Sequence, residues 1–193
     1  MEKYRGENIN KKNQFERTRY IEIHILDMIQ NLRTPIGDVV VPLITRLGDA
    51  GIIWIILTLL LLIIPKTRKT GVIMMAALLA DLLLCNVLIK NLVARTRPFD
   101  VNTTVKLLVE KPRDYSFPSG HTAASFASVT ALYLAKEKKL WKIALVLAVL
   151  IALSRLYLYV HYPTDIIGGV IFGSLSGYLG YKIIGWIQKK KTK

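Results

Sequence analysis

The chain has 193 residues, 52% of them hydrophobic, a formal net charge of +14 and a single cysteine, Cys85. A mean hydropathy of +0.38, with the apolar residues gathered in unbroken runs, excludes an ordinary water-soluble domain. Lysines and arginines fall between those runs, which reads as membrane topology with no nucleic-acid partner, and one cysteine excludes an internal disulfide.

In chain order, residues 1–19 form a basic tail, with six Lys or Arg against three Glu and no apolar core followed by a cleavage site. Residues 20–193 read as one membrane domain. Within it, residues 20–48 hold too many charges for an ordinary span, while Ile25, Met28, Ile29 and Leu32 recur at helical spacing. An amphipathic helix at the interface is expected there, with an irregular sixth crossing as the alternative. Five apolar segments follow: 50–64, 71–89, 119–135, 143–160 and 166–187. A span needs about 20 residues, and only helices satisfy their own backbone in lipid, so the fold class is an all-α polytopic bundle of five to six transmembrane helices.

Charge orients the bundle. Lys66, Arg68 and Lys69, then Lys136, Lys138, Lys139 and Lys142, then Lys189, Lys190, Lys191 and Lys193 all fall on one face if the crossings alternate. The positive-inside rule makes that face cytoplasmic, so linkers 96–118 and 161–165 face outward in a multi-pass cell-membrane protein. An outward N-terminus conflicts with the basic tail, which is either exported despite its charge or returned by the sixth crossing. Gly169, Gly173 and Gly177 lie four apart on the last segment, a spacing that suits close packing inside the bundle.

The outward linkers carry the chemistry. Lys90 and Arg97 lie seven apart, on one face if the helix continues, with no carboxylate at matching spacing, which suggests an anion site. Pro118 suits a helix start, where Ser119 and Gly120 offer backbone N–H groups to an anion and His121 follows. Arg155 sits inside an apolar run, where an arginine is costly and usually functional. His161 closes that run, and Asp165 in the first turn of the next helix can fix its tautomer. Three cations, helix-end donors and two histidines suit a phosphoryl group: one histidine attacks phosphorus and the other protonates the departing oxygen. No acidic or histidine cluster on this face has metal-ligand spacing, so a mechanism without metal or cofactor is expected.

Lys90-x6-Arg97-Pro98, Pro118-Ser119-Gly120-His121 and Ser154-Arg155-x5-His161-x3-Asp165 together resemble the tripartite signature of the type 2 phosphatidic acid phosphatase family, complete and in order over residues 90–165. The resemblance implies His161 as nucleophile forming a phosphohistidine, Asp165 as its orienter and His121 as leaving-group acid. It implies that Lys90, Arg97, Arg155, Ser119 and Gly120 hold the phosphate. Undecaprenyl diphosphate, phosphatidylglycerophosphate and phosphatidic acid are the substrates it suggests, the partners being such lipids and the surrounding membrane. The undecaprenyl diphosphate subgroup often carries Asp where this chain has Gly120. A lipid-phosphate binding or transport protein without turnover is the alternative, and a vanadate haloperoxidase is disfavoured by the five apolar segments. Outside the signature, Asp81 reads as buried, Asn86 as a neighbour of Lys90, and Arg95 as a spare phosphate contact or headgroup anchor. His24 and the three tryptophans read as interfacial. Linker 99–117 is long enough to cover the site, with Leu107, Leu108 and Val109 dipping into lipid.

Overall fold

The computed structural model describes residues 2–191, with side chains over 16–190. Most of the predicted basic tail's side chains, those of residues 1–15, thus lie outside the described residues, as do those of Lys191 and Lys193. All regular elements described are helical. They run α1 (Glu2–Asn31), α2 (Pro35–Arg46), α3 (Ile52–Ile63), α4 (Arg68–Asp81), α5 (Lys90–Val93), α6 (Pro98–Val101), α7 (Gly120–Leu134), α8 (Leu140–Tyr157) and α9 (Pro163–Lys191). Local chemistry explains the ends. Thr34 caps α2 by accepting from the Gly37 N–H at 3.0 Å, with Pro35 at the first helical position, and Pro163 opens α9 in the same way. Between α4 and α5 the helix widens into a π-helical segment, Leu82–Ile89, immediately before Lys90.

Among the described residues, three stretches are long and apolar enough to cross a membrane: Arg68–Val101, Leu140–Tyr157 and Pro163–Lys190. A fourth arises if α2 and the following stretch Asp49–Ile63, bent by 42°, count as one broken span. The count by length and composition is therefore three or four, below the predicted five to six. The shortfall lies in 119–135, whose helix α7 has only 15 residues, about 22 Å, and in 50–64, whose helix α3 has only 12 and qualifies only with α2. Outward-facing Ile56, Leu60, Leu83, Val146 and Leu153 are exposed, as lipid-facing side chains should be.

At the centre, α9 packs against α7 and α4. The three glycines explain how closely. A Cβ on Gly173 would lie 2.2 Å from the Ala123 carbonyl oxygen, and one on Gly177 2.6 Å from that of Ala127. Backbone therefore meets backbone, with Ala123, Ala127 and Ala131 fully buried. Trp54, expected at the interface, is instead 1% exposed in the core, where its indole donates to Ser125 Oγ at 3.0 Å. Residues 20–48 form not one helix but two. Their contacts gather at one end of the bundle: Asp27 with Tyr159, Gln30 and Asp38 with Tyr157, Thr45 with Arg155.

Candidate active site

That end holds His161, in the turn between α8 and α9. Tyr159, two residues earlier, has φ 59°, a left-handed conformation unusual for a bulky residue. Its hydroxyl donates to Asp27 at 2.7 Å and accepts from Asn102 at 3.2 Å, which pins the turn. His161 is 1% exposed. Its Nδ1 lies 3.4 Å from Asp165 Oδ2, and its Nε2 lies 3.3 Å from Arg97 Nη1. Burial pushes the imidazole down to about 3 against the pull of Asp165, with Arg97 and Arg155 adding to the fall. The ring is thus neutral, with a lone pair to offer.

Asp165 is completely buried and its carboxylate is held from several sides. It accepts from the Tyr162 N–H at 2.9 Å, from Ser116 Oγ, and from Arg95 Nη1 at 2.7 Å. Arg95 is therefore neither a phosphate contact nor a headgroup anchor. Its other nitrogen pairs with Glu22, its guanidinium lies 3.8 Å over the Tyr162 ring, and Glu22 accepts from the Thr164 N–H at 3.0 Å. This carboxylate–arginine–carboxylate chain ties α1 to the start of α9 behind the two catalytic candidates. Breaking it at Arg95 strands two buried carboxylates, so Arg95→Ala is expected to lower stability by about 3–5 kcal/mol. Thermal or denaturant unfolding in detergent measures it.

Lys90 and Arg97 also converge, but not by the predicted route. The helix ends at Val93, Ala94 turns left-handed at φ 46°, and a helix face no longer relates the two. What joins them is Asp114 from the long linker. One of its oxygens pairs with Lys90, the other accepts from Arg97 Nη2 at 2.6 Å, and its carbonyl accepts from Arg97 Nε at 2.8 Å. Burial opposes ionisation of Asp114, yet the two cations hold its carboxyl down to about 2. The carboxylate partner that spacing did not reveal thus comes from a loop, and its half-exposed side chain stands where an anion between two cations would stand. Leu107, Leu108 and Val109 are partly buried and pack against the cluster around Tyr159 and Val160.

Helix α7 starts at Gly120, with Pro118 outside it and Ser119 as its cap. Ser119 is buried: its N–H donates to the Asp165 carbonyl at 3.1 Å and its Oγ accepts from Thr122 Oγ1 at 3.0 Å. A Cβ on Gly120 would fall 2.9 Å from Asn86 Oδ1 and 3.7 Å from Lys90 Nζ, so both side chains approach the start of α7. Arg155 donates to Thr45 Oγ1 at 2.5 Å, while its Nε is buried with no hydrogen-bond partner. His121 Nε2 lies 2.9 Å from Asp49 Oδ1.

A cavity of about 1270 Å³ collects these groups. Lys90, Arg97, Gly120, His121, Arg155 and His161 line its polar part, while Ile55, Leu59, Leu62, Met75, Leu78 and Leu82 line the rest. Of the eight predicted site residues, six therefore reach one cavity; Ser119 and Asp165 stand one layer behind the wall. Asp81, 2% exposed with Oδ1 unpaired, also borders it.

The sequence matches the PAP2 superfamily over residues 70–189, more than half of the chain. The chain belongs to that superfamily. Among its PAP2 relatives, the undecaprenyl-diphosphatase of Sulfolobus acidocaldarius is 37% identical over 131 residues, covering 68% of this chain and 63% of that protein. The match thus spans under two thirds of that relative's length. Phosphatidylglycerophosphatase B of Bacillus subtilis is 34% identical over 160 residues, covering 77% of this chain and 75% of its own. The crystal structure of Aquifex aeolicus LpxE superposes with a TM-score of 0.73 at 29% identity, covering 84% of this chain and 95% of that one. With its apolar helices and membrane PAP2 neighbours, the chain is a multi-pass membrane protein.

Proposed function

We propose that this PAP2 protein is an integral membrane phosphatase that releases phosphate from a lipid phosphate or diphosphate on the extracytoplasmic face. The observation that carries the reading is the two-part cavity. Its polar end holds Lys90, Arg97, Arg155 and two histidines, and its apolar walls have room for the start of a lipid chain. In this reading the substrate phosphate displaces the Asp114 carboxylate from Lys90 and Arg97, and Arg155 offers its unpaired Nε. Neutral His161 attacks phosphorus through Nε2 while Asp165 holds Nδ1, giving a phosphohistidine. His121 protonates the departing oxygen and then activates water. The three cations and the N–H groups at the α7 start stabilise the phosphoryl charge, with Ser119 keeping that helix end in place, so no metal is needed.

Five crossings by α3, α4, α7, α8 and α9 would leave the lysine-rich linkers on the cytoplasmic side and the cavity outside, with α2 and the described part of α1 along the outer interface. Undecaprenyl diphosphate and phosphatidylglycerophosphate are the first substrates to test, as the named substrates of two relatives, with phosphatidic acid beside them. Purified protein is expected to release phosphate from at least one of these, to be inhibited by vanadate and to be indifferent to EDTA. Lipid retention with no release would instead identify a binding protein, and activity lost in EDTA and restored by Mg²⁺ would overturn the metal-free mechanism.

A further inference from the structure

We propose that Asp49 is the positioning residue of the acid–base histidine, holding the His121 imidazolium so that its other N–H is free for the departing oxygen. The inference rests on the phosphatase reading and adds to it a residue outside all three sequence motifs.

Asp49 belongs to the break between α2 and α3, and the backbone there is shaped around His121. Ala50 has φ 49° and Gly51 φ 70°, both left-handed. For alanine that conformation is unfavourable and persists only where the surroundings impose it. A Cβ on Gly48 would lie 2.8 Å from His121 Cδ2, so the chain lies directly against the ring edge. The strained turn then brings Asp49 Oδ1 to 2.9 Å from His121 Nε2.

The electrostatic surroundings give that contact its purpose. Burial of the ring, with Arg155 and Lys90 on the same cavity, disfavours a positive charge on His121, and Asp49 opposes them. Of the other carboxylates that line the cavity, Asp81, Glu110 and Asp114, none has a hydrogen bond to His121 among the described residues, and Asp114 is committed to Lys90 and Arg97. Asp49 makes no second side-chain hydrogen bond among the described residues. The two histidines thus carry opposite needs and separate carboxylates. His161 must present a lone pair, and its Asp165 is shared with Arg95, Ser116 and backbone. His121 must carry a proton, and the one side-chain hydrogen bond Asp49 makes among the described residues goes to it. In the first step the His161 nitrogen–phosphorus bond forms as the bond from phosphorus to the ester oxygen breaks. The second imidazolium proton passes to that oxygen. Neutral His121 then takes a proton from water as the water oxygen bonds to phosphorus and the phosphorus–nitrogen bond breaks.

The test compares two phosphate monoesters on purified full-length protein: dioctanoyl phosphatidic acid, whose alkoxide must be protonated on leaving, and p-nitrophenyl phosphate, whose phenolate leaves unaided. Asp49→Asn is expected to lower kcat for the lipid about tenfold or more, out of the 10²–10⁴ that general acids supply. For the aryl ester the loss stays within about threefold, KM is little changed for both, and Asp49→Glu restores much of the lipid rate. An unaltered lipid-to-aryl rate ratio in Asp49→Asn, whether both rates fall together or neither does, overturns the assignment. The unsubstituted protein's own release of phosphate reports separately on the phosphatase reading.

Discussion

His161→Gln is expected to abolish phosphate release, by at least about a thousandfold, while leaving a folded protein. The buried ring sits with Nε2 at the cavity and Nδ1 toward Asp165, so glutamine keeps the volume but has no nucleophilic nitrogen. The same substitution should change how stability depends on pH. In the folded protein burial holds His161 at about 3, below its ordinary 6.5, so the native ring stays neutral while the unfolded ring takes up a proton. Stability from this group is therefore intact above about pH 6.5 and falls as the pH drops toward 3, by up to about 1.4 kcal/mol per unit. His161→Gln removes that dependence, so its Tm should decline less between pH 6.5 and 4 than that of the parent. Substantial release by the variant would remove the nucleophile assignment, whatever its pH profile.

Arg97→Ala is expected to reduce kcat/KM by about 10²–10³, the loss typical of one transition-state donor. Arg97→Lys should recover less than a tenth of it. The guanidinium is engaged along its whole fork: Nη1 donates to the Val160 carbonyl at 2.7 Å, Nε to the Asp114 carbonyl at 2.8 Å, and Nη2 to the Asp114 carboxylate at 2.6 Å. An ammonium reproduces the charge but neither the planar geometry nor the brace on the residue before His161. Steady-state kinetics of both variants on one lipid phosphate decides it. Near-parental activity in Arg97→Lys would mean that Arg97 contributes charge alone.

Asp114 and Arg95 show how much of the site was legible beforehand. The three motifs named the cations and histidines that meet at the cavity, because an intramembrane arginine is costly without a use and the helix-start histidine and His-x3-Asp step gain meaning only beside it in one ordered signature. Asp114 left a faint trace, as the only carboxylate between Glu110 and His121. Nothing in spacing said that it would lie across Lys90 and Arg97, since the linker folds back without regular periodicity. Arg95 looked interchangeable with its basic neighbours. Glu22, its partner, is 73 residues away on a helix whose charges read as an interfacial face.

Local pattern thus determined the class of fold and named six residues that gather at the cavity. Apolar runs in a bilayer can satisfy their backbone only as helices, and costly polar residues within them mark the chemistry. The Asp165–His161 pair was readable from spacing, whereas the tertiary structure alone decided the other two pairings: Asp114 with the cations and Asp49 with His121. Those pairings join separate helices and loops, and depend on distances that no periodicity along one chain encodes.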